Sequence, residues 1–377
     1  METFDEKYQL ERFSKTKEEF DFYYENELKE KVDILEKERQ ETIDLAKKTA
    51  LKLLWPALAV LVIYFIYSDI IFYAIAALFV FGGYLFKDVI SKRKALSKKM
   101  KQEVVTDLVH FMNDNFTYKP NHYLSASNFR NANIFKQKPN RYTGDDLIKG
   151  YVTSEPDSED NVDTKLPRTD ISFSEVQADA VERYKDKDGK TQERVQSIFK
   201  GLFFKADFNK DFDGLTIIVP KERSFKGFSF FKKEKENQLH DVELEDIEFM
   251  DKFTVKTTDQ ILARYILTPN FMNRLLDFSN RDHGMDTDDV KQPTSIKEAF
   301  QMGLSDHHSD EAYSDTPYFS FRDGTMYFML PTEKDHFEFN VLTPLNKNLI
   351  YSYFKDINIA LGLVDELNLN LRIWSKE

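Results

Sequence analysis

The sequence predicts an α+β protein: a two-helix transmembrane hairpin with flanking cytoplasmic helices, and a mixed, mainly antiparallel β plus α cytosolic domain. Three observations support this fold class. Two apolar runs lie close together, charged segments with helical periodicity flank them, and alternating runs separated by turn residues fill much of the remainder. With 377 residues the chain is long enough for two domains.

The two apolar runs have the composition of short membrane-spanning helices. They cover residues 53–67 and 70–86, with Ser68 and Asp69 between them. Because a helix needs roughly 17 to 25 residues to cross the hydrocarbon layer, the first run spans it only if Leu51 and Lys52 join it. The predicted boundaries are 1–50 for an N-terminal amphipathic helical segment, 51–86 for the hairpin, 87–118 for a juxtamembrane helix and 119–377 for the cytosolic domain.

Basic residues predict how the hairpin is oriented. Lysines precede the first run, and residues 87–101 hold seven basic groups against one acidic group, whereas the turn holds no basic residue. The positive-inside rule therefore places both termini in the cytoplasm. The alternative is a buried helical hairpin of a globular core, or a re-entrant loop.

Cations after the second run are candidates for contact with an anionic lipid surface, because each gains about 1 kcal/mol near such a leaflet. The alternative is that they only fix topology during insertion and are solvated afterwards. The candidate lipid-surface residues are Lys92, Arg93, Lys94, Lys98, Lys99 and Lys101.

Both apolar runs are predicted to continue as cytoplasmic helices. Before the membrane, apolar residues recur at mostly helical spacing: Phe20, Tyr24, Leu28, Val32, Leu35, Ile43 and Ala46. After it, a run spaced by four comprises Leu96, Met100, Val104, Leu108 and Met112. Whether the two helices pair as a stalk stays open at this point.

The cytosolic domain shows strand and helix signals in alternation. Asp188-Gly189 and Asp323-Gly324 lie between alternating runs and predict hairpin turns, and residues 171–180 alternate in two registers, which indicates a bulge. Thr268 followed by Pro269 predicts a capped helix start. The C-terminal helix is predicted from an apolar stripe at Ile350, Phe354, Ile357, Leu361 and Val364.

Composition excludes several classes of function. The chain has no cysteine, so disulfides, thiolate zinc sites and cysteine nucleophiles are excluded. A net charge of −12 argues against nucleic-acid binding. Acidic insertions near 151–170 and 282–316 contribute −4 and −7 of that charge, from 2 basic and 6 acidic groups and from 2 and 9.

Four sequence blocks follow the apolar runs in an order that resembles a known bacterial family. They are NRYTGDDLIKG (140–150), TDISFSEVQA (169–178), IFKGLFFKADFNKDFDG (198–214) and FTVKTTDQILARYILTPNFM (253–272). The chain resembles the membrane-protein family of domain of unknown function 3137, in places labelled galanin. The resemblance implies a bacterial cytoplasmic-membrane protein without an established catalytic set. Genes of this family often lie near those of LemA-type membrane proteins, which implies a LemA-type partner.

Candidate chemistry is confined to polar segments. Asn209, Asp211 and Asp213 resemble the first half of a calcium loop, but the twelfth position is Pro220 where a glutamate is needed. The acidic segment 282–316 contains possible metal ligands, namely His283, His307, His308 and Asp310.

We therefore expect a membrane-anchored interaction or scaffold protein, more a binding protein than an enzyme, with no cofactor. Its partners would be the lipid bilayer and a membrane or cytosolic protein, and a homo-oligomer is compatible with the sequence. The alternative is a membrane-tethered metal-dependent hydrolase that uses the Asp/His-rich insertion.

Overall fold

A computed structural model describes residues 14–66, 71–153, 168–207, 213–221, 239–280, 316–332 and 337–367. The chain forms two compact units. The helical unit comprises Thr16–Phe111 and Phe337–Phe354, and the sheet unit comprises Met1–Lys15, Met112–His336 and Lys355–Glu377. The grouping of residues 337–354 with the N-terminal helices was not predicted from the sequence.

The helical unit is built on two long helical stretches. The first comprises α1 (Lys17–Tyr23), a π-helical segment (Tyr24–Leu28) and α2 (Lys29–Ile66). It begins at a capping box in which the Thr16 hydroxyl accepts the Glu19 N–H and the Glu19 carboxylate accepts the Thr16 N–H. The second comprises α3 (Ile71–Lys99), a π-helical segment (Met100–Val105) and α4 (Thr106–Met112).

The π-helical segments explain why both apolar stripes repeat every four residues. In an α-helix a spacing of four rotates each side chain about 40° past the previous one, so a long stripe of this kind drifts around the helix. A wider π turn takes up extra residues and restores the alignment. Accordingly, the predicted stripe residues Phe20 to Leu35 and Leu96 to Met112 are all buried.

The two helical stretches lie antiparallel along most of their length. Lys31 Nζ pairs with the Asp107 carboxylate, and Lys99 Nζ lies 2.6 Å from Glu38 Oε1. Further along, a Cβ at Gly82 would lie 3.7 Å from Leu53 Cδ1. Because Leu53 and Gly82 belong to the apolar runs, the contact extends from the charged segments into those runs, and the two helices form one hairpin.

The C-terminal segment of the helical unit packs on the start of the first helix. The helix α9 (Lys347–Leu367) begins in this unit. The Phe20 ring lies 4.9 Å from the Phe354 ring and 5.2 Å from the Tyr351 ring, measured between centroids. Phe20 is fully buried as a result.

The sheet unit contains one nine-stranded, wholly antiparallel sheet in the order β1-β2-β3-β4-β9-β8-β5-β7-β6. Its strands are β1 (Thr117–Lys119), β2 (Arg141–Thr153), β3 (Arg168–Lys185), β4 (Thr191–Asp207), β5 (Leu215–Pro220), β6 (His240–Val242), β7 (Phe253–Thr257), β8 (Tyr318–Arg322) and β9 (Thr325–Pro331). Its short helices are α5 (Ala126–Ala132), α6 (Ile247–Lys252), α7 (Gln260–Ile266) and α8 (Pro269–Asn280). The predicted α+β class is thereby confirmed for the described residues.

A row of phenylalanines runs across one face of the sheet. Phe173, Phe204, Phe328 and Phe319 are direct cross-strand neighbours, and their successive ring centroids are 5.0, 4.9 and 5.2 Å apart. Phe278 of α8 packs edge-on against Phe328 from above. The opposite face packs against α5 through a second buried cluster. Both faces are therefore covered by apolar contacts, which suits a chain with 34 phenylalanines.

The turn and cap signals of the sequence are confirmed. Asp323 and Gly324 both have positive φ, 48° and 70°, in the two-residue turn between β8 and β9. Asp186 accepts the N–H groups of Asp188 and Lys190 in the turn between β3 and β4. The Thr268 hydroxyl accepts the Phe271 N–H at the start of α8.

A bulge lies in β2, opposite the part of β3 whose sequence changes register. Asp145 pairs with Glu175 and Ile148 with Phe173, so two residues of β2 oppose one residue of β3. Asp146, at the bulge, is buried with φ 55°, and the Tyr118 hydroxyl donates a hydrogen bond to its carboxylate. The extra residue lies in β2, whereas the sequence pattern indicated a bulge within residues 171–180 of β3.

Candidate membrane surface and helical base

The apolar ends of α2 and α3 present large side chains that nothing in the described structure covers. Phe72 and Phe79 of α3 are 75% and 77% exposed, and Trp55 of α2 is 79% exposed. Exposure on this scale is abnormal for a helix surrounded by water, since contiguous apolar patches mark sites of contact with protein or membrane.

Within the described residues, one helix is long and apolar enough to cross a membrane. It extends from Ile71 to Met112, and the most apolar part of it is not buried at all. The other predicted span would use the end of α2, whose apolar run is shorter and ends at Ile66 in the described structure. Length and composition therefore mark one candidate span in the described part of the chain, and two spans are not shown.

The six predicted lipid-surface cations fall into two groups. Lys92, Arg93, Lys94 and Lys98 are exposed. Lys99 is paired with Glu38, and Lys101, which is buried, lies 3.1 Å from Glu338 Oε1. Lys99 keeps 44% of its side chain exposed, whereas Lys101 has little surface left for lipid. The lipid contact of the exposed cations stays a prediction.

A buried arginine joins the first helix to the C-terminal segment within the helical unit. Arg39 is 3% exposed, and its guanidinium donates to both carboxylate oxygens of Glu36 at 2.6 and 2.7 Å. It also donates to the Val341 carbonyl at 2.8 Å, while Glu36 accepts the Leu345 N–H at 2.8 Å. The pair thus satisfies two backbone groups as well as each other.

The electrostatics of this site follow from that geometry. The hydrogen bonds from Arg39, with smaller contributions from Gln40 and from the Leu345 N–H, lower the pKa of Glu36 to about 2. Lys347 adds a second link, since its amine lies 3.0 Å from Asp21 and 3.3 Å from Glu25. Sequence reasoning missed both clusters because their partners lie more than 300 residues apart in the chain.

The β3–β4 hairpin extends beyond the rest of the sheet. Residues 180–185 and 191–196 pair only with each other, since β2 pairs with β3 up to Asp179 and β9 pairs with β4 from Gly201 onward. At about 3.4 Å per residue this ribbon protrudes by about 20 Å. Tyr184 and Val195 on it are 54% and 47% exposed.

The predicted metal ligands lie outside the described residues. These are His283, His307, His308 and Asp310, together with Asn209 and Asp211 of the calcium-like block. Asp213, the third residue of that block, is described and exposed. The metal and hydrolase interpretation therefore stays a prediction.

These features define an α+β protein with two long N-terminal helices, one of which could cross a membrane. The model of the family described as "Protein of unknown function (DUF3137)" matches residues 197–288 and 306–369. Over those residues, which are less than half of the chain, the sequence is similar to the DUF3137 family, and the match confirms the resemblance for the blocks at 198–214 and 253–272. Searches of the curated proteins and of the solved structures found no match.

The interruption of the family match falls inside one of the acidic stretches. Residues 289–305 are skipped, and they lie within the segment 282–316 that the sequence indicates as an insertion. None of the histidine candidates is among the skipped residues: His283 precedes them, and His307 and His308 follow them.

Proposed function

We propose that this protein is a membrane-anchored interaction protein of the bacterial cytoplasmic membrane. In this proposal the apolar ends of α2 and α3 both cross the bilayer as a two-span hairpin, with both termini in the cytoplasm. The sheet unit is then the cytosolic part that binds a protein partner, for which a LemA-type membrane protein is one candidate.

The observation that supports the hairpin best is the pairing of the two apolar runs. Contact between Leu53 and Gly82 makes α2 and α3 neighbours inside the apolar region. Insertion of one helix into a bilayer therefore brings the other helix into the bilayer as well. Inserting α3 alone would leave the exposed apolar side chains of α2, such as Trp55 and Leu58, in water. Co-insertion removes that cost.

The charge distribution supports the orientation. Because the helices are antiparallel, Lys47, Lys48 and Lys52 on the first helix lie at the same end as Lys87 and Lys92 on the second. The apolar runs between them contain no charged residue. All of these cations lie at one end of the hairpin, and the positive-inside rule assigns that end to the cytoplasmic side of the membrane.

The protruding β3–β4 ribbon supports a partner for the sheet unit. An isolated two-stranded hairpin is marginally stable in water, and its open edges can add a strand from another chain. Asn140 covers one such edge position by hydrogen bonding both the N–H and the C=O of Val181 at 2.8 Å. We propose that the partner binds the part of the ribbon beyond Val181.

Cysteine labelling tests the topology without background, because the chain has no cysteine. We expect Ser68→Cys to react with an impermeant maleimide added to intact cells, and Ser14→Cys and Ser375→Cys to react only after lysis. External reaction at position 14 with none at position 375 would indicate a single span. External reaction at both termini would reverse the orientation and reject the proposal.

A further inference from the structure

The hydrophobic band of the hairpin is short for a bilayer. The apolar runs of 15 and 17 residues, at 1.5 Å per residue, extend for about 22 and about 26 Å. Extending the first run by Leu51 and Lys52 brings it to about 26 Å. The hydrocarbon core of a typical bilayer is about 30 Å thick, so the shortfall is about 4 to 8 Å.

Aromatic side chains give a second, independent measure of the same band. Trp55 and Tyr84 lie toward the lysine-rich end of the hairpin, and Tyr64 and Tyr73 lie toward the turn. All four are more than half exposed, at 79%, 75%, 56% and 73%. Trp and Tyr favour the two membrane interfaces, where their rings sit at the level of the headgroups.

The axial distance between the two aromatic levels is small. Trp55 and Tyr64 are nine residues apart on α2, which is about 14 Å, and Tyr73 and Tyr84 are eleven residues apart on α3, which is about 17 Å. Tilting the hairpin would shorten its projection further. Both the apolar length and the aromatic spacing therefore indicate a bilayer thinner than average.

We propose that the α2–α3 hairpin selects thin membrane regions or thins the bilayer locally, and that its preferred partner is a lipid bilayer with short acyl chains. This inference rests on the proposed two-span topology. A short hydrophobic segment is accommodated by thinning of the bilayer, and the cost of each ångström of mismatch sorts proteins among membranes of different thickness. The hairpin would thus determine where the sheet unit is displayed.

Reconstitution of the full chain into vesicles of graded thickness tests this inference. The probes are dimyristoleoyl, dioleoyl and dierucoyl phosphatidylcholine, which differ in acyl-chain length, and the readout is the incorporated fraction after flotation. We expect incorporation to be several-fold higher in the thinnest vesicles than in the thickest. A maximum in dioleoyl or dierucoyl vesicles, or equal incorporation in all three, would overturn the inference.

Two variants distinguish the effect of helix length from the effect of added apolar surface on the choice of vesicle. Inserting Leu-Ala-Leu-Ala after Val62 and after Phe72 lengthens each helix by about 6 Å and should move the optimum to thicker vesicles. The matched control replaces Ala57, Ala59, Ala76 and Ala77 by leucine, which adds apolar surface without length and should leave the optimum in place. An optimum that moves with the control but not with the insertion contradicts the proposal.

A double-cysteine variant distinguishes failure of this inference from failure of the topology. In Ser68→Cys/Ser375→Cys, an impermeant polymer-linked maleimide adds one label per molecule if the two positions lie on opposite sides. Molecules with two labels or none would show that α3 does not cross the bilayer, which rejects both proposals. One label per molecule without thickness dependence rejects the thickness inference alone.

Discussion

The Glu36–Arg39 pair provides a quantitative test of how the helical unit is held together. Glu36→Gln keeps the shape of the side chain and an acceptor for the Leu345 N–H, but it removes the negative charge that faces the buried Arg39 guanidinium. Removing one partner of a buried pair is strongly destabilising because the other charge is left uncompensated.

The expected magnitude follows from the pKa of Glu36. A shift from 4.5 to about 2 corresponds to about 3 kcal/mol of folding free energy at neutral pH, at 1.36 kcal/mol per pKa unit. The neutral amide recovers about 1 kcal/mol through its remaining hydrogen bonds. We therefore expect Glu36→Gln to lower the free energy of unfolding by about 2 kcal/mol.

The pH dependence has a defined sign. Because the pKa of Glu36 is lower in the folded protein than in the unfolded chain, its stabilisation is complete above pH 4.5 and is lost as the pH falls toward about 2. The difference in stability between the wild type and Glu36→Gln should be full at pH 7 and should shrink between pH 4.5 and 2.

Urea unfolding of the purified full chain in a mild detergent, at several pH values, measures both effects. Glu41→Gln is the matched control, since Glu41 is exposed on the same helix and should change the unfolding free energy by less than about 0.5 kcal/mol. A loss of similar size in the control, or a difference that stays constant down to pH 3, would refute the reasoning.

Two further predictions concern the surfaces assigned to lipid and to protein. Changing Lys92, Arg93, Lys94 and Lys98 together to glutamine should weaken binding of a Phe86–Phe116 peptide to anionic vesicles by at least about tenfold, because each cation near the leaflet contributes about 1 kcal/mol. Equal binding of the unchanged peptide to neutral and anionic vesicles would contradict the lipid contact. Replacing residues 182–194 by Asn-Gly should leave Tm within a few degrees, because all of these residues except Asp186 are exposed, and should abolish recovery of the protein partner in detergent pull-downs. Undiminished recovery would exclude the ribbon as the binding surface.

Local signals were sufficient to predict the elements that depend on neighbouring residues. The turns at Asp188-Gly189 and Asp323-Gly324, the cap at Thr268 and the buried stripe of α9 each depend on residues within one or two turns of the chain. Backbone sterics and side-chain periodicity act over that range, so the sequence displays them directly. The family resemblance likewise depends on contiguous blocks, and it is confirmed over residues 197–369.

Only the tertiary structure determined which distant residues meet. The sequence marks Lys101 as one more juxtamembrane cation, yet in the fold its amine is buried against Glu338, 237 residues further along the chain. Similarly, nothing near Arg39 in the sequence indicates that it holds the Val341 carbonyl. Long-range pairs of this kind form because packing brings the chain segments together and buried charges must then find partners. The sequence by itself determined the apolar runs, their basic flanks and the strand and helix signals, whereas the antiparallel pairing of the helices and the division of the cations into exposed and paired groups were decided by packing.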